Sequence, residues 1–307
     1  MTDAKLILIE GIPGSGKTSV ACFVCDWLES HGRQPRLFLE GDWQHPADFE
    51  SVACLDDVEY AALCAQFPAQ AGFLAQHARQ ENGEWFFSYR QMQHENGEQP
   101  DALFESLARF EIYHLPAEKH QWLLLQNWHK FVADALEQDF VYVFECCFLQ
   151  NPATTLFAYH NLPAEAVRQH ILALADIVRP LAPKLVYLAR QDVGATLEAV
   201  RRERPPEWAD FVTWYLTGQD YGKAHNLSGF DGVVAFYAMR QAFELDVLPA
   251  LPLSSAVIAD DGDWATRHEA LLSFLGNPVG KAIHIAKGMA TEISEHAIFE
   301  ARRLNDA

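Results

Sequence analysis

One stretch, IEGIPGSGKTS at positions 9–19, limits the fold of this chain more than any other. It fits the pattern G-x-x-x-x-G-K-[ST], in which a glycine-rich loop joins a strand to a helix and its backbone N–H groups surround phosphate groups. The flanks agree, because an apolar run, KLILI, precedes the loop and apolar residues at helical spacing follow it. The residues predicted to bind the phosphates of a nucleotide are Gly11, Ile12, Pro13, Gly14, Ser15, Gly16, Lys17 and Thr18.

Lys17 and Thr18 carry the chemistry of this loop. The lysine supplies positive charge to the outer phosphates, and the threonine places its hydroxyl on Mg²⁺. A magnesium site also needs a carboxylate at the end of a neighbouring strand, and the apolar run FVYVF at 140–144 ends at Glu145. We therefore predict ATP and Mg²⁺ as cofactors, with Thr18 and Glu145 on the metal. The alternative for Glu145 is an ordinary strand-end carboxylate that binds water or a helix N-terminus.

The composition argues against several classes of partner. The chain has 42 acidic residues against 23 Lys and Arg, which gives a formal net charge of -19 at pH 7. Such a chain repels a phosphate backbone, so nonspecific binding to nucleic acid or to anionic membranes is not expected. No apolar stretch approaches the roughly 20 residues of a membrane helix. The N-terminal apolar run leads directly into the loop, which indicates a strand and not a signal peptide. We expect a cytoplasmic protein.

Continuous apolar runs at five places are typical of parallel strands that are covered on both faces. These runs are KLILI, RLFL, FVYVF, KLVYL and SAVIA, which begin at residues 5, 36, 140, 184 and 255. Segments with helical periodicity lie between the runs, and this alternation indicates an α/β fold. We predict a single domain, 1–307, with a core of about 1–46 and 138–276.

The interval 47–137 is too long for a simple connection, and we predict that it is a mostly helical insertion with an acidic helix over 48–67. Its tetrapeptide ENGE occurs at 81–84 and 95–98. Asn-Gly is a strong turn signal, so two turns around one strand are predicted here. The segment 277–307 has helical character and is predicted to be a C-terminal extension. The six cysteines include one C-x-x-C pair, Cys22 and Cys25, but no second pair that would complete a zinc site, so they are expected to be core or near-core thiols.

The phrase LILIEGIPGSGKTS, Leu6 to Ser19, resembles the first strand and loop of the P-loop kinases, in particular the branch of the thymidylate kinases and deoxynucleoside kinases. The segment FECCFLQNP, Phe144 to Pro152, is also similar to a segment of some bacterial P-loop proteins. The resemblance implies a three-layer P-loop NTPase fold whose five parallel strands have the order 2-3-1-4-5. The two named families place an arginine beside the acid of strand three, whereas here Cys146 follows, so their way of holding an acceptor is not reproduced.

The resemblance also implies an acceptor site near the ends of strands two and three. The second run ends in LEGDWQHP, where Glu40 and Asp42 match the place at which deoxynucleoside kinases keep the carboxylate that takes the proton of the attacking hydroxyl. A carboxylate there orients the nucleophile. Either residue fits this role, and a polar turn is an equal alternative. Trp43 could stack on a ring and His45 could donate to an oxygen, although packing is the commoner role of both residue types.

Three arginines, Arg201, Arg202 and Arg204, follow the fourth run in EAVRRERPPEW. The superfamily has a lid in this position, whose arginines close over the transferring phosphoryl group and neutralise its charge. We predict Arg201 and Arg202 as catalytic residues together with Lys17, and a charged helix face is the alternative. The segment DDGDW at 260–264 lies where relatives pass near the adenine. Weaker candidates for the lid are Lys223 and Arg240.

These expectations describe a kinase, monomeric or homodimeric, that transfers the γ-phosphate of ATP to a hydroxyl or phosphate of a small molecule. The favoured acceptor is a nucleoside or nucleotide, by resemblance alone, and an antibiotic or sugar-like hydroxyl compound is a close alternative. A rival function is a regulatory ATPase whose insertion binds a protein partner. The intact pair Lys17 and Thr18 argues against nucleotide binding without turnover. The choice between ATP and GTP stays open.

Overall fold

The computed structural model describes residues 3–259, 264–276 and 283–285. The predicted extension 277–307 therefore lies outside the described residues except at 283–285, and the segment 260–264 lies outside them except at residue 264.

The chain divides into two compact units, one of Met1–Glu40 with Trp128–Ala307 and the other of Gly41–Asn127. The strands of the described residues are β1 (Leu6–Gly11), β2 (Pro35–Phe38), β3 (Val52–Leu55), β4 (Arg79–Glu81), β5 (Glu84–Ser88), β6 (Val141–Glu145), β7 (Lys184–Ala189), β8 (Ser254–Ala259) and β9 (Ile283–Ile285).

The α-helices of the described residues are α1 (Lys17–Ser30), α2 (Asp57–Gln66), α3 (Ala71–His77), α4 (Tyr89–Glu95), α5 (Asp101–Ala108), α6 (Ala117–Leu136), α7 (Gln150–Thr154), α8 (Ala164–Val178), α9 (Val193–Glu203), α10 (Pro206–Thr217), α11 (Asp220–Ala224), α12 (Gly229–Val247) and α13 (Trp264–Gly276). A π-helical turn at Thr155–Tyr159 continues α7. None of these helices combines the length and the apolar character that a membrane crossing requires.

The larger unit contains a six-stranded sheet in the order β2-β6-β1-β7-β8-β9. Every neighbouring pair in this sheet is parallel. The first five strands follow the predicted order, so the α/β class and the parallel five-stranded core are confirmed. The strand β9 corrects the helical prediction at 283–285, where Ile-His-Ile pairs with β8. β-branched residues suit a strand, and the edge of β8 offers unpaired backbone groups.

Both faces of this sheet are covered. On one face, α1 and α13 enclose a core cluster that includes Ile7, Ile9, Val20, Val24, Val143, Val186, Leu271 and Phe274. On the other face, the ring of Trp128 in α6 lies edge-on to Phe144, with the ring centroids 6.0 Å apart. This arrangement is compatible with a three-layer α/β fold. Since the strands are parallel, the carboxyl ends of β1, β2 and β6 lie at one edge, which is where ligands bind in such sheets.

The smaller unit contains an antiparallel sheet in the order β3-β5-β4, together with α2 to α5. Helices α2 to α6 still make up most of the interval 47–137, but the predicted helix over 48–67 is wrong at Val52–Leu55, which forms β3. These four apolar residues are all buried and pair with β5, so tertiary pairing overrides the helical pattern around them. The first ENGE forms the predicted turn, because Asn82 and Gly83 have φ of 51° and 82° between β4 and β5. After β5 the chain enters α4, so the second ENGE follows a helix and not a strand.

Candidate functional site

The glycine-rich loop connects the end of β1 to the start of α1. Gly14 and Gly16 have φ of 78° and 89°, in the left-handed region that favours glycine. A Cβ atom on Gly14 would lie 2.4 Å from Cγ2 of Val200, and one on Gly11 would lie 2.7 Å from the carbonyl oxygen of Leu188. The loop therefore needs glycine both for its backbone conformation and for its close packing. It ends at a helix of fourteen residues, whose N-terminus attracts anions.

Lys17 is 5% exposed and points back over the loop that precedes it. Its Nζ donates hydrogen bonds to the carbonyl oxygens of Gly11, at 3.2 Å, and Ile12, at 3.1 Å. These two neutral carbonyls accept two of the three ammonium hydrogens but do not neutralise the charge of Lys17. The loop thus presents a concentrated positive charge where the motif predicts phosphate oxygens.

Thr18 and Glu145, the two predicted metal ligands, are in direct contact. The Thr18 hydroxyl donates to the Glu145 carboxylate, with Oγ1 at 3.0 Å from Oε1 and 3.2 Å from Oε2. Glu145 ends β6 and is 4% exposed. Burial raises the pKa of its carboxyl, and the charge of Lys17 and the Thr18 hydrogen bond oppose that effect. A hydroxyl and a carboxylate are hard oxygen donors of the kind that Mg²⁺ prefers, so this pair fits the predicted metal.

Glu40 lies just after β2, and its exposed carboxylate reaches the same edge of the sheet. Gln150 Nε2 donates to one carboxylate oxygen at 2.9 Å, and Cys146 Sγ donates to the other at 3.5 Å. Ligand atoms of Glu40, Glu145 and Cys146 all lie within 4.8 Å of one another. Burial raises the pKa of the Cys146 thiol well above its ordinary value, so the sulfur stays protonated and acts as a donor to Glu40. The two carboxylates remain as the metal-binding or proton-accepting groups.

Asp42, the other acceptor-side candidate, belongs to the smaller unit. Its carboxylate accepts a hydrogen bond from the backbone N–H of Gln44 at 2.9 Å, as in an Asx turn. The Trp43 ring lies 5.5 Å from that of His94. The His45 ring accepts hydrogen bonds from two backbone N–H groups, at 3.1 and 2.9 Å, and burial lowers its pKa. Each of these three side chains has a local partner, and Glu40 is the candidate that lies beside Glu145.

The predicted lid arginines are on the exposed end of α9. The Arg201 guanidinium lies 3.6 Å from the Glu198 carboxylate and 4.6 Å from the ring centroid of Phe230. Arg202 is exposed, and so is the weaker candidate Lys223 in α11. Helix α9 does approach the loop, but through Val200, which packs beside Gly14. The role of Arg201 and Arg202 in a lid stays a prediction.

Three other arginines contact the carbonyl oxygens of the loop. Arg190, which follows β7, donates to Gly14 at 2.7 Å, and Arg267 of α13 donates to Ser15 at 3.5 Å. Arg240 of α12 donates to Gly11 at 3.2 Å and is 1% exposed. In the sequence, Arg190 directly follows an apolar strand and Arg240 is one of the weaker lid candidates, whereas Arg267 is a single residue inside a helix that no pattern marks.

A buried polar network lies behind the loop. Arg240 forms an ion pair with Glu244 at 3.2 Å, and Tyr187 donates to Glu244 at 2.6 Å. Glu10 of β1 is completely buried and accepts hydrogen bonds from the N–H groups of Phe148 and Gln150, both at 2.9 Å. Burial raises the pKa of Glu10 to about 7. The sequence shows Glu10 as an acid inside an apolar strand, but that pattern alone indicates no role for it.

Comparison with known proteins adds no family to this geometry, because no protein-family model and no curated protein matches the chain.

Proposed function

We propose that this protein is an ATP- and Mg²⁺-dependent phosphotransferase that phosphorylates a small molecule. The observation that carries the proposal is the contact between Thr18 and Glu145, at 3.0 Å, beside the buried Lys17. A hydroxyl at the start of α1 and a carboxylate at the end of β6 come together next to a loop whose glycines permit close approach of phosphate groups. This combination is the arrangement that phosphoryl transfer in P-loop enzymes requires.

Each residue of the site has a distinct task in this reaction. The loop N–H groups and Lys17 bind the phosphate oxygens and hold the γ-phosphoryl group in place. Thr18 and Glu145 would hold the metal ion. When bound, Mg²⁺ neutralises charge on the phosphate oxygens. The pKa of Glu145 is raised by burial, so a divalent cation beside it would favour the ionised carboxylate that the metal needs.

Glu40 is proposed to orient the acceptor and accept its proton. The acceptor oxygen forms a bond to the γ-phosphorus, the bond from that phosphorus to the bridging oxygen breaks, and ADP leaves. A hydroxyl acceptor suits this edge better than a phosphate acceptor. The Glu145 carboxylate is close by, and the donors on Glu40, from Gln150 and Cys146, are neutral. A phosphate would therefore meet like charge at Glu40. A nucleoside is the favoured acceptor, and a sugar-like or antibiotic hydroxyl compound is the next.

The proposal is tested by ADP release with Mg²⁺ and ATP, in the presence and absence of pooled nucleosides, nucleotides and hydroxylated antibiotics. Lys17→Ala should lower turnover by about 100-fold or more, because it removes the charge on the phosphates. Lys130→Ala, which removes an exposed lysine of α6, is the matched control and should turn over normally. One pool should raise ADP release well above the rate with water alone.

The same assay separates the rival function. If no pool changes a basal rate that Lys17→Ala abolishes, the kinase proposal is wrong and a regulatory ATPase with a protein partner replaces it. A kinase hydrolyses ATP slowly without its acceptor, because closure excludes water. Among variants on the acceptor side, Glu40→Gln should cost more of the acceptor-dependent rate than Asp42→Asn.

A further inference from the structure

We propose that Gln150 is a positioning residue for the Glu40 carboxylate, and that Arg240 holds Gln150 and the phosphate loop at the same time. The acceptor side and the nucleotide side of the site would then share one buried support. This inference rests on the proposed function and adds two residues that the motif does not contain.

The two neighbours of the Gln150 amide fix its orientation. Its Nε2 donates to Glu40 at 2.9 Å, and its Oε1 accepts from Arg240 at 3.4 Å. A carboxylate can only accept hydrogen bonds and a guanidinium can only donate them, so the chemistry of the two neighbours fixes which end of the amide faces which. Gln150 is 4% exposed, and this pair of contacts leaves its side chain one orientation.

Several contacts fix the position of the Arg240 guanidinium. Its guanidinium donates to Thr154 Oγ1 at 2.7 Å and to the Gly11 carbonyl oxygen at 3.2 Å, and it forms an ion pair with Glu244. The planar fork of an arginine can hold several acceptors in a set geometry, which a lysine cannot do. One buried side chain therefore contacts the first residue of the loop and the residue that orients Glu40.

Glu10 anchors the backbone of the segment that carries Gln150. Both oxygens of Glu10 are used, one for the N–H of Phe148 and one for the N–H of Gln150. Glu10 precedes the loop in β1, so the same strand end anchors the loop and the turn that follows β6. An exposed glutamate would otherwise sample many rotamers. The network holds Glu40 in one arrangement before the acceptor binds, and such preorganisation raises the rate of transfer.

The decisive variant is Gln150→Met, which keeps the size of the side chain and removes both polar contacts. Its matched control is Gln169→Met, because exposed Gln169 also donates to a glutamate, Glu165. With the acceptor pool that raises ADP release, Gln150→Met should lower kcat by roughly 10- to 100-fold, as expected for loss of a hydrogen bond to a charged group. The KM for ATP should change less than about twofold, because the loop keeps its own donors.

The division of the effect between kcat and KM distinguishes positioning from a loss of folding. A variant that loses its fold also loses ATP binding, whereas a loss of positioning lowers kcat and leaves the KM for ATP in place. Gln150→Glu should behave like Gln150→Met or worse, since it still accepts from Arg240 but places a negative charge against Glu40. Gln169→Met should match the wild-type protein in both kcat and the KM for ATP.

The outcomes are separable. If the wild-type protein responds to an acceptor and Gln150→Met retains its kcat, the inference is wrong while the kinase proposal stands. Full activity of Gln150→Glu would also overturn it. If no acceptor raises turnover of the wild-type protein, the proposed function fails and the inference fails with it. A lower kcat of Gln150→Met with an unchanged KM for ATP supports the assignment.

Discussion

Replacing Glu10 by glutamine is expected to flatten the pH dependence of the stability of the larger unit. Glu10 is completely buried, and burial raises the pKa of its carboxyl from 4.5 to about 7. The Glu244 charge adds to this effect, and the backbone N–H groups of Gln150 and Phe148 oppose it. Between these two pH values the folded state holds a proton that the unfolded chain has lost. The stability from this group is therefore complete below about pH 4.5 and is lost as pH rises toward 7.

The size of the effect follows from the two pKa values. At 1.36 kcal/mol per pH unit, the whole shift is worth about 3 kcal/mol, of which about 2.5 kcal/mol falls between pH 5 and pH 8. A glutamine side chain at this position would carry no charge, and its amide oxygen could accept only one of the two N–H bonds. Glu10→Gln should thus be less stable than the wild-type protein at pH 5 by roughly 1–3 kcal/mol. That difference should shrink by about 2.5 kcal/mol at pH 8.

The measurement is urea unfolding of the wild-type protein and Glu10→Gln at pH 5, 6, 7 and 8. Other groups also titrate in this range, but they are common to both proteins and cancel in the difference. Glu105→Gln, which changes an exposed glutamate of α5, is the control and should show a constant difference from the wild-type protein. If the Glu10→Gln difference is equally constant, Glu10 does not titrate near pH 7 in the folded protein, and the reasoning from its burial is refuted.

Three further variants test the packing of the loop, the packing of the core and the cap of α2. Gly14→Ala should abolish binding of a fluorescent ATP analogue, because its Cβ would lie 2.4 Å from Val200. Gly83 has a similar φ but open space around it, so the control Gly83→Ala should bind the analogue normally. Trp128→Ala should cost about 3–5 kcal/mol in denaturant unfolding, since the fully buried ring is lost from the core. Asp56→Ala should cost about 1 kcal/mol of stability, because it removes the capping box that starts α2, and an unchanged unfolding midpoint would contradict that role.

The sequence was sufficient for features that depend on short, continuous patterns. The apolar runs predicted the five core strands, because parallel strands buried on both faces need apolar residues at every position. Glycine spacing predicted the loop, and the acid after an apolar run predicted that Glu145 would lie near Thr18. In each case the residues that interact are part of adjoining elements whose geometry is nearly fixed. The strands β3, β4 and β9 were missed, because three or four residues are too short to show the periodicity that separates strand from helix.

The arginines illustrate what sequence patterns do not contain. Arg201 and Arg202 stand out in an acidic chain because they are adjacent, but adjacency on a helix end favours exposure to solvent. The arginines that contact the loop are isolated: Arg190, Arg240 and Arg267 come from three elements that are far apart in sequence. A buried cation is recognised by its partners, and those partners are known only when the sheet order brings the elements together.

The contacts of these cations also explain how the loop is held. In a trans peptide the C=O and the following N–H point in opposite directions. Arg240 and Lys17 hold the carbonyl of Gly11, Arg190 holds that of Gly14, and Arg267 holds that of Ser15. Each such contact turns the next N–H to the opposite side of the chain. The N–H groups of the proposed phosphate site are therefore oriented by Lys17 and by three arginines outside the motif, which the motif alone does not predict.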